Sequence, residues 1–313
     1  MLCLASIERR SPLVEIVVVD NASTDGSVRA VKERHPDVEV IENHRNVGFG
    51  AAANLAVSRS RGAVILLLDS DTVLEHGCME ALYREVLQGD GVAGAAIYQG
   101  GRTLPEYGCT KDLMGLPSAL DRMPQGGARP LYVPSCCLAT SRRCFEVVGG
   151  YDERYFLFDD DVEYCWQALR RGYNVRVVPE ARARHRGGAS TPGGYTRNGV
   201  VETSSRRIRW RERNALNTAV ACAPLYVLPA AVVASLARTS AFVILLLLHH
   251  RYRAALALFC GVVHNLAWLP ATIRRRMRPG VTARGSREAW SRVARRLYAI
   301  DYLRKHVRVR FVD

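Results

Sequence analysis

"VEIVVVDNASTDGS", residues 14–27, joins an apolar run to a polar loop and a helix start. Residues 14–19 read as a short buried strand with Asp20 at its carboxyl end. Ser23, Thr24 and Asp25 offer capping oxygens to a helix near 26–34. The same pattern repeats downstream. "VEVIE" (38–42) is a second strand, and "NVGFGAAANLAVSRS" (46–60) is a helix with small residues on one face. "AVILLL" (63–68) is a third buried strand that ends in Asp69. A helix near 78–88 and a strand near 92–98 follow. The Gly- and Pro-rich stretch 100–130 reads as a long loop or small insert. Strands at 131–140 and 174–179 then bracket a helix over 161–171. Uniformly apolar strands alternating with helices predict an α/β fold, a Rossmann-like and mostly parallel sheet with helices on both faces. In such sheets ligands bind beyond the carboxyl ends of the strands.

The 313 residues suffice for one large domain plus an appendage, or for two domains. The net charge of +14 suits an anionic partner: nucleic acid, membrane or anionic small molecules. The charge is uneven, with thirteen Arg or Lys but only Glu288 and Asp301 as acids between Arg274 and Arg310. This basic tail has few aromatics arranged for stacking, so nucleic acid is not an expected partner. Nine cysteines without a CxxC pair fit neither a structural zinc site nor a disulfide framework, and a reducing compartment is expected.

Beyond residue 214 the composition changes. The runs 215–236, 239–250 and 254–273 carry no charge, and the first and third are about long enough to span a bilayer. Arg238, Arg251 and Arg253 lie between them and would sit on the far side of a hairpin, against the positive-inside tendency. Helices lying in or on the inner leaflet are therefore the preferred reading over a hairpin. In 288–303, Trp290, Val293, Leu297 and Ile300 share one face and arginines another, which fits a membrane-surface helix or a helix packed on its own domain. The expected organisation is a domain at 1–214 followed by a helical, membrane-associated region at 215–313, bound to an anionic membrane surface.

Three sets of residues could carry chemistry. Asp20 at a strand end can accept hydrogen bonds from a base or a ribose. Asp69 and Asp71 in "DSDT" sit at i and i+2 after an apolar strand, where two carboxylates can present oxygens to one hard cation, Mg²⁺ or Mn²⁺. His185 in "ARHRGGAST" could complete that shell or meet a diphosphate. The most unusual stretch is "YFLFDDDVEYCW" (155–166), where Asp159, Asp160, Asp161 and Glu163 put four carboxylates in five positions among aromatics. Repulsion and lost solvation make this unfavourable, but both raise a carboxylate's pKa toward that of a useful proton acceptor.

In order, "VVVDNASTDGS", "NVGFGAAAN", "LLLDSDT", "VGGYDERYFLFDDDVEYCWQALRRGY", "HRGGAS" and "RERN" resemble the family 2 inverting glycosyltransferases of GT-A fold. Within them the chain looks most like rhamnosyltransferase-type enzymes of bacterial cell-surface polysaccharide assembly. The likeness spans roughly residues 3–214. It implies that Asp20 and Asn21 hold the donor's nucleotide, and that Asn46, Gly48 and Asn54 line the donor pocket. It implies that Asp69 and Asp71 bind a divalent cation with His185 nearby. Asp160-Asp161 match the family's Glu-Asp pair, whose second acid is the catalytic base. Relatives of the rhamnosyl type often read Asn-Pro-Asp where this chain reads Asp-Ser-Asp. The implied donor is a nucleoside-diphosphate sugar, the acceptor a glycan or lipid-linked hydroxyl, and the place the cytoplasmic face of a bacterial plasma membrane. The resemblance also implies an apolar strand ahead of "MLCLASIERRSP", central in the sheet. Its lack at this point fits either a coding start upstream of Met1 or a damaged, inactive copy. Two further readings stay open: a non-catalytic relative that binds without turnover, and another nucleotide-sugar enzyme such as a nucleotidyltransferase. The latter class tends to carry a Gly-rich phosphate loop near its start, which this chain does not show.

Overall fold

The computed structural model describes residues 2–7, 14–99, 103–123, 129–187, 196–197, 200–294 and 308–311. The chain is α/β. In its first half come α1 (Leu2–Ser6), β1 (Val17–Asp20), α2 (Ser27–Arg34), β2 (Glu39–Glu42), α3 (Phe49–Arg59), β3 (Val64–Leu68), β4 (Thr72–Leu74), α4 (Cys78–Gly89) and β5 (Gly91–Gln99). The 100–130 insert holds β6 (Cys109–Lys111) and β7 (Pro117–Ala119), paired antiparallel. There follow β8 (Cys137–Ser141), α5 (Arg142–Val148), α6 (Asp160–Arg170) and β9 (Asn174–His185). Next are β10 (Thr196–Arg197), β11 (Val200–Thr203), α7 (Ser205–Cys222), α8 (Leu228–Leu248), α9 (Tyr252–Arg276), α10 (Ala283–Ser291) and β12 (Arg308–Phe311).

The sheet differs from the expectation of a mostly parallel one. The central five strands run β3-β8-β5-β9-β4, and only β5 and β9 are parallel neighbours. β8 runs antiparallel to both β3 and β5, and β4 runs antiparallel to β9. An uninterrupted apolar strand reports burial on both faces, not direction. The long segment between β5 and β8 lets the chain re-enter the sheet reversed, which no strand composition reveals. Two buried clusters cover the faces, one around Leu131, Leu138, Tyr164 and Leu169, the other around Cys78, Leu82, Ile97 and Ala183.

β1 and β2 form a separate parallel pair, with Asp20 opposite Glu42. Among the described residues, the second edge of β1 and that of β3 pair with no strand, and both strands line one cavity of ≈2710 Å³.

The C-terminal part packs closely on the rest. The composition change expected at 214/215 falls inside α7, whose residues Ala215–Thr218, Ala221 and Cys222 are buried. The first uncharged run is thus in part core rather than membrane helix. α8 and α9 are long and apolar enough to cross a membrane, with mean hydropathy of 2.2 and 1.6 over their best windows. Leu256, Phe259, Val263 and Leu266 of α9 are exposed. Of the two readings of 288–303, packing on its own domain is the one the structure favours over the first part. Val293 and Ala289 are buried, Trp290 stacks on Trp166 of α6, and a Cβ at Gly285 would lie 2.4 Å from the Arg170 carbonyl. α10 therefore packs its apolar side on α6 of its own domain. Leu297 and Ile300 lie outside the described residues.

Candidate active site

The cavity is walled by the ends of β1 and β3, the start of α3, the loop into α6, His185, and the first turns of α7. Three strand-end features meet there. β4 pairs with β9 so that Thr72 faces His185, which carries the imidazole to the turn after β3. His185 Nε2 lies 3.1 Å from Asp71 Oδ1 and 3.6 Å from Asp69 Oδ2. The three ligand atoms lie within 4.8 Å of one another. Two carboxylate oxygens and one imidazole nitrogen suit a hard to borderline divalent cation, so the donor set fits Mg²⁺ or Mn²⁺. Desolvation pushes Asp69 up to about 6, and the hydrogen bond from His185 holds Asp71 below the usual carboxylate range. Burial alone would lower the His185 imidazole; the hydrogen bond and charge of Asp71, with Asp69, outweigh it and raise its pKa.

On the β1 side, Asp20 ends the strand on the cavity and its Oδ2 accepts from Ser23 N at 2.9 Å. Asn21 also lines the cavity, with its amide engaged: Nδ2 donates to Gly48 O and Oδ1 accepts from Asn43. Asn46 Oδ1 accepts from Gly48 N at 2.9 Å. Gly48 has φ +87, and a Cβ there would meet Phe156 Cα at 2.6 Å. Only glycine lets this loop touch the one before α6. Asn54 is placed elsewhere. It is not among the cavity walls; it brackets Tyr151, accepting from its N–H at 2.9 Å and donating to its carbonyl at 3.0 Å.

The acidic cluster divides in two. Asp159 is buried against the Lys111 ammonium from β6, and its Oδ2 also accepts from Thr218 of α7. Glu163, fully buried, accepts from Arg275 of α9 through both oxygens at 2.9 and 2.8 Å. Asp160 and Asp161 have no cation partner among the described residues and both reach the cavity. Desolvation, then neighbouring charge, pushes Asp160 up to about 7 and raises Asp161 well above the ordinary carboxylate range. Two of the four carboxylates are thus neutralised from distant elements, and the remaining pair has become proton-avid. This is the electrostatic setting of a general base.

The loop leading to that pair is strained. Phe156, Phe158 and Asp159 all have positive φ, 63°, 68° and 65°. Asn214 of α7 donates its amide to the carbonyls of Tyr155, Leu157 and Phe158 at 2.8–3.0 Å, and Arg213 donates to Tyr155 O at 2.9 Å. Phe49 N donates to Phe156 O, which ties the loop to the start of α3. Lys111, Arg213, Asn214 and Arg275 were not singled out as site residues from the sequence. For the first three the only signals were one of just three lysines in an arginine-rich chain and the "RERN" string.

Residues 2–148 match the family described as Glycosyl transferase family 2. Among curated relatives, an N-acetylglucosaminyl-diphospho-decaprenol L-rhamnosyltransferase of Mycobacterium tuberculosis is 24% identical over 57% of this chain and 68% of its own length. The succinoglycan biosynthesis protein ExoO of Rhizobium meliloti is 29% identical over 57% of this chain and 50% of its own. The fold is shared with solved glycosyltransferases. TarS 1–349 of S. aureus, solved with UDP-GlcNAc, aligns with a TM-score of 0.53 over 92% of this chain and 85% of its own, at 16% identity. GalNAc-T7, solved with UDP, GalNAc and Mn²⁺, gives 0.55 over 69% and 44%, at 18% identity.

Proposed function

We propose that the chain, which matches the family 2 glycosyltransferases over residues 2–148, moves a sugar, with inversion, from a nucleoside-diphosphate sugar to a hydroxyl of a lipid-linked or polysaccharide acceptor. One observation carries this reading. The Asp69–Asp71–His185 trio and the uncharged-partner pair Asp160-Asp161 open onto the same cavity. A trio of this kind suits the diphosphate end of a donor, and a proton-avid pair suits an attacking hydroxyl.

In the proposed reaction, Asp20 and the loop from Asn21 to Gly48 seat the nucleotide. Asp161 accepts the proton of the acceptor hydroxyl, whose oxygen bonds to the anomeric carbon as the bond to the diphosphate oxygen breaks on the opposite face. Asp160 keeps Asp161 proton-avid by its charge. Asp69, Asp71 and His185 would hold a Mg²⁺ or Mn²⁺. Such a cation supplies charge neutralisation at the diphosphate. Rhamnose is one candidate sugar, on the strength of the M. tuberculosis relative. The exposed apolar sides of α8 and α9 support association with a membrane, peripheral or shallowly embedded, on the cytoplasmic face in this reading.

The test is nucleotide binding. The intact chain should bind UDP or another nucleoside diphosphate more tightly with Mn²⁺ than with chelator, and Asp69→Ala should remove that difference. Binding that ignores both chelator and the substitution would overturn the metal assignment.

A further inference from the structure

α7 presents three arginines to the cavity mouth, and the reaction proposed above gives them no task. Arg206, Arg207 and Arg211 line the cavity with Trp210, beside Asp159–Asp161. Their guanidinium groups are held on aromatic faces. Arg207 and Arg211 lie 4.7 and 5.4 Å over the Phe158 ring, and Arg206 lies 5.9 Å over Trp210. Trp210 in turn packs on Phe156 at 4.8 Å. Among the described residues Arg206 and Arg211 form no ion pair, and the nearby Glu212 is taken by Arg238 and Thr239. Both arginines are exposed.

From this placement we infer that Arg206, Arg207 and Arg211 form a site for a phosphate or diphosphate carried by the acceptor. The inference rests on the glycosyltransferase reading and names the acceptor class. Guanidinium groups fixed on aromatic rings lose little freedom on binding, and their forked donors match phosphate oxygens. Their position separates them from the donor. In an inverting displacement the acceptor enters on the side of the base, and the donor's diphosphate departs on the other. Arg207 and Arg211 lie over Phe158, and Arg206 over Trp210, which packs on Phe156; both phenylalanines belong to the loop leading to Asp160 and Asp161. The cation trio stands in the turn after β3 and on β9 instead. The lipid half of such an acceptor also has somewhere to go. α7 leads from the arginines to its packing with α9: Asn265 donates to Arg213 O, and Gly261 sits against Arg209. Leu256, Phe259, Val263 and Leu266 are exposed on that same helix.

The test uses the full chain in detergent and two probes that share a C15 prenyl chain: prenyl diphosphate and prenyl alcohol. The diphosphate should bind at least ~10-fold more tightly than the alcohol, the scale of one or two charge-assisted contacts. Arg206→Ala/Arg211→Ala should erase most of that preference, and Arg206→Lys/Arg211→Lys should restore part of it. UDP binding with Mn²⁺, measured on the same samples, should stay within ~2-fold of the parent, which also reports that the variants are folded. Equal binding of the two prenyl probes to the parent chain would overturn the inference, as would a preference that survives the double alanine change. An equal loss of UDP binding would assign the arginines to the donor and overturn it too. If the parent binds no nucleoside diphosphate yet discriminates between the prenyl probes, the glycosyltransferase reading fails while the phosphate site stands.

Discussion

The two walls of the cavity are built differently. The wall of β1, β2 and α2 is thin. Among the described residues its two strands pair only with each other, every residue of β1 is partly exposed, and α2 buries no residue. A parallel pair this exposed is unusual, since parallel strands are normally covered on both faces. The wall of α6 and α7 is dense. α6 buries ten of its eleven residues, its leading loop has three residues in the left-handed region, and that loop is gripped by Asn214, Arg213 and Phe49. The contrast matches the proposed tasks. A wall that seats a ligand by strand-end loops can be light. A wall that must keep two carboxylates close, dry and without a cation has to be held from outside, because the carboxylates repel one another.

The largest expected effect therefore falls on the dense wall. Asp161→Asn should lower transfer by ~10²–10⁴-fold, the range for losing a general base, while nucleoside-diphosphate binding is kept. Near-parental turnover in that variant would place the base elsewhere and make the density of this wall merely structural.

Next is the support behind it. Arg275 of α9 reaches the fully buried Glu163 and also donates to the carbonyls of Val148, Gly149 and Gly150. Arg275→Ala would leave a buried carboxylate uncompensated and should destabilise the chain by ~3–5 kcal/mol in denaturant unfolding. Replacing both partners, with Glu163→Gln and Arg275→Met, should recover much of that. If the double change is as damaging as the single, the arginine's contacts to the carbonyls matter more than the ion pair.

A smaller but diagnostic effect concerns pH. Transfer needs Asp161 deprotonated, and its folded pKa is raised, so activity is present at high pH and is lost as pH falls through the pair's apparent pKa. The acid limb of kcat/KM should lie well above the ordinary carboxylate range, because burial and the neighbouring Asp160 charge raise Asp161. Asp160→Asn removes a charge that raises Asp161 and should move that limb downward. An unmoved limb would mean that the pair does not titrate together.

The strand-end carboxylates were the easier residues to read. Asp20, Asp69 and Asp71 follow apolar runs directly, so strand end and ligand position came from adjacent residues. His185 was legible only as a lone histidine, because the pairing of Thr72 with His185 is a property of the sheet. The cluster at 159–163 was plain, but not its division. Lys111 is 48 residues from Asp159, and Arg275 is 112 from Glu163. Nothing in local spacing ties such partners together. Strand direction failed for a related reason: periodicity reports which faces are buried, whereas β8's reversal is set by the segment before it. The two readings of 288–303 could not be separated from sequence because an amphipathic helix looks the same whether lipid or protein covers it.

The smallest expected effect comes from an ion pair on the thin wall. Lys32 of α2 and Glu42 of β2 meet at 2.6 Å, as close as Arg275 and Glu163 at 2.8 Å. Their side chains are 55% and 51% exposed, against 7% and 0% for the buried pair. Water already solvates both ions when they are apart, and holding two long side chains together opposes the Coulomb gain. Glu42→Gln should therefore change stability by under ~1 kcal/mol, and added salt should shrink the difference further. Two pairs of nearly equal length would then differ several-fold in effect, because burial rather than distance sets the penalty for a lost partner. If Glu42→Gln instead matches the cost of Arg275→Ala, then α2, β1 and β2 are coupled to the rest of the fold far more tightly than their exposure indicates. The contrast between the two walls would not survive that result.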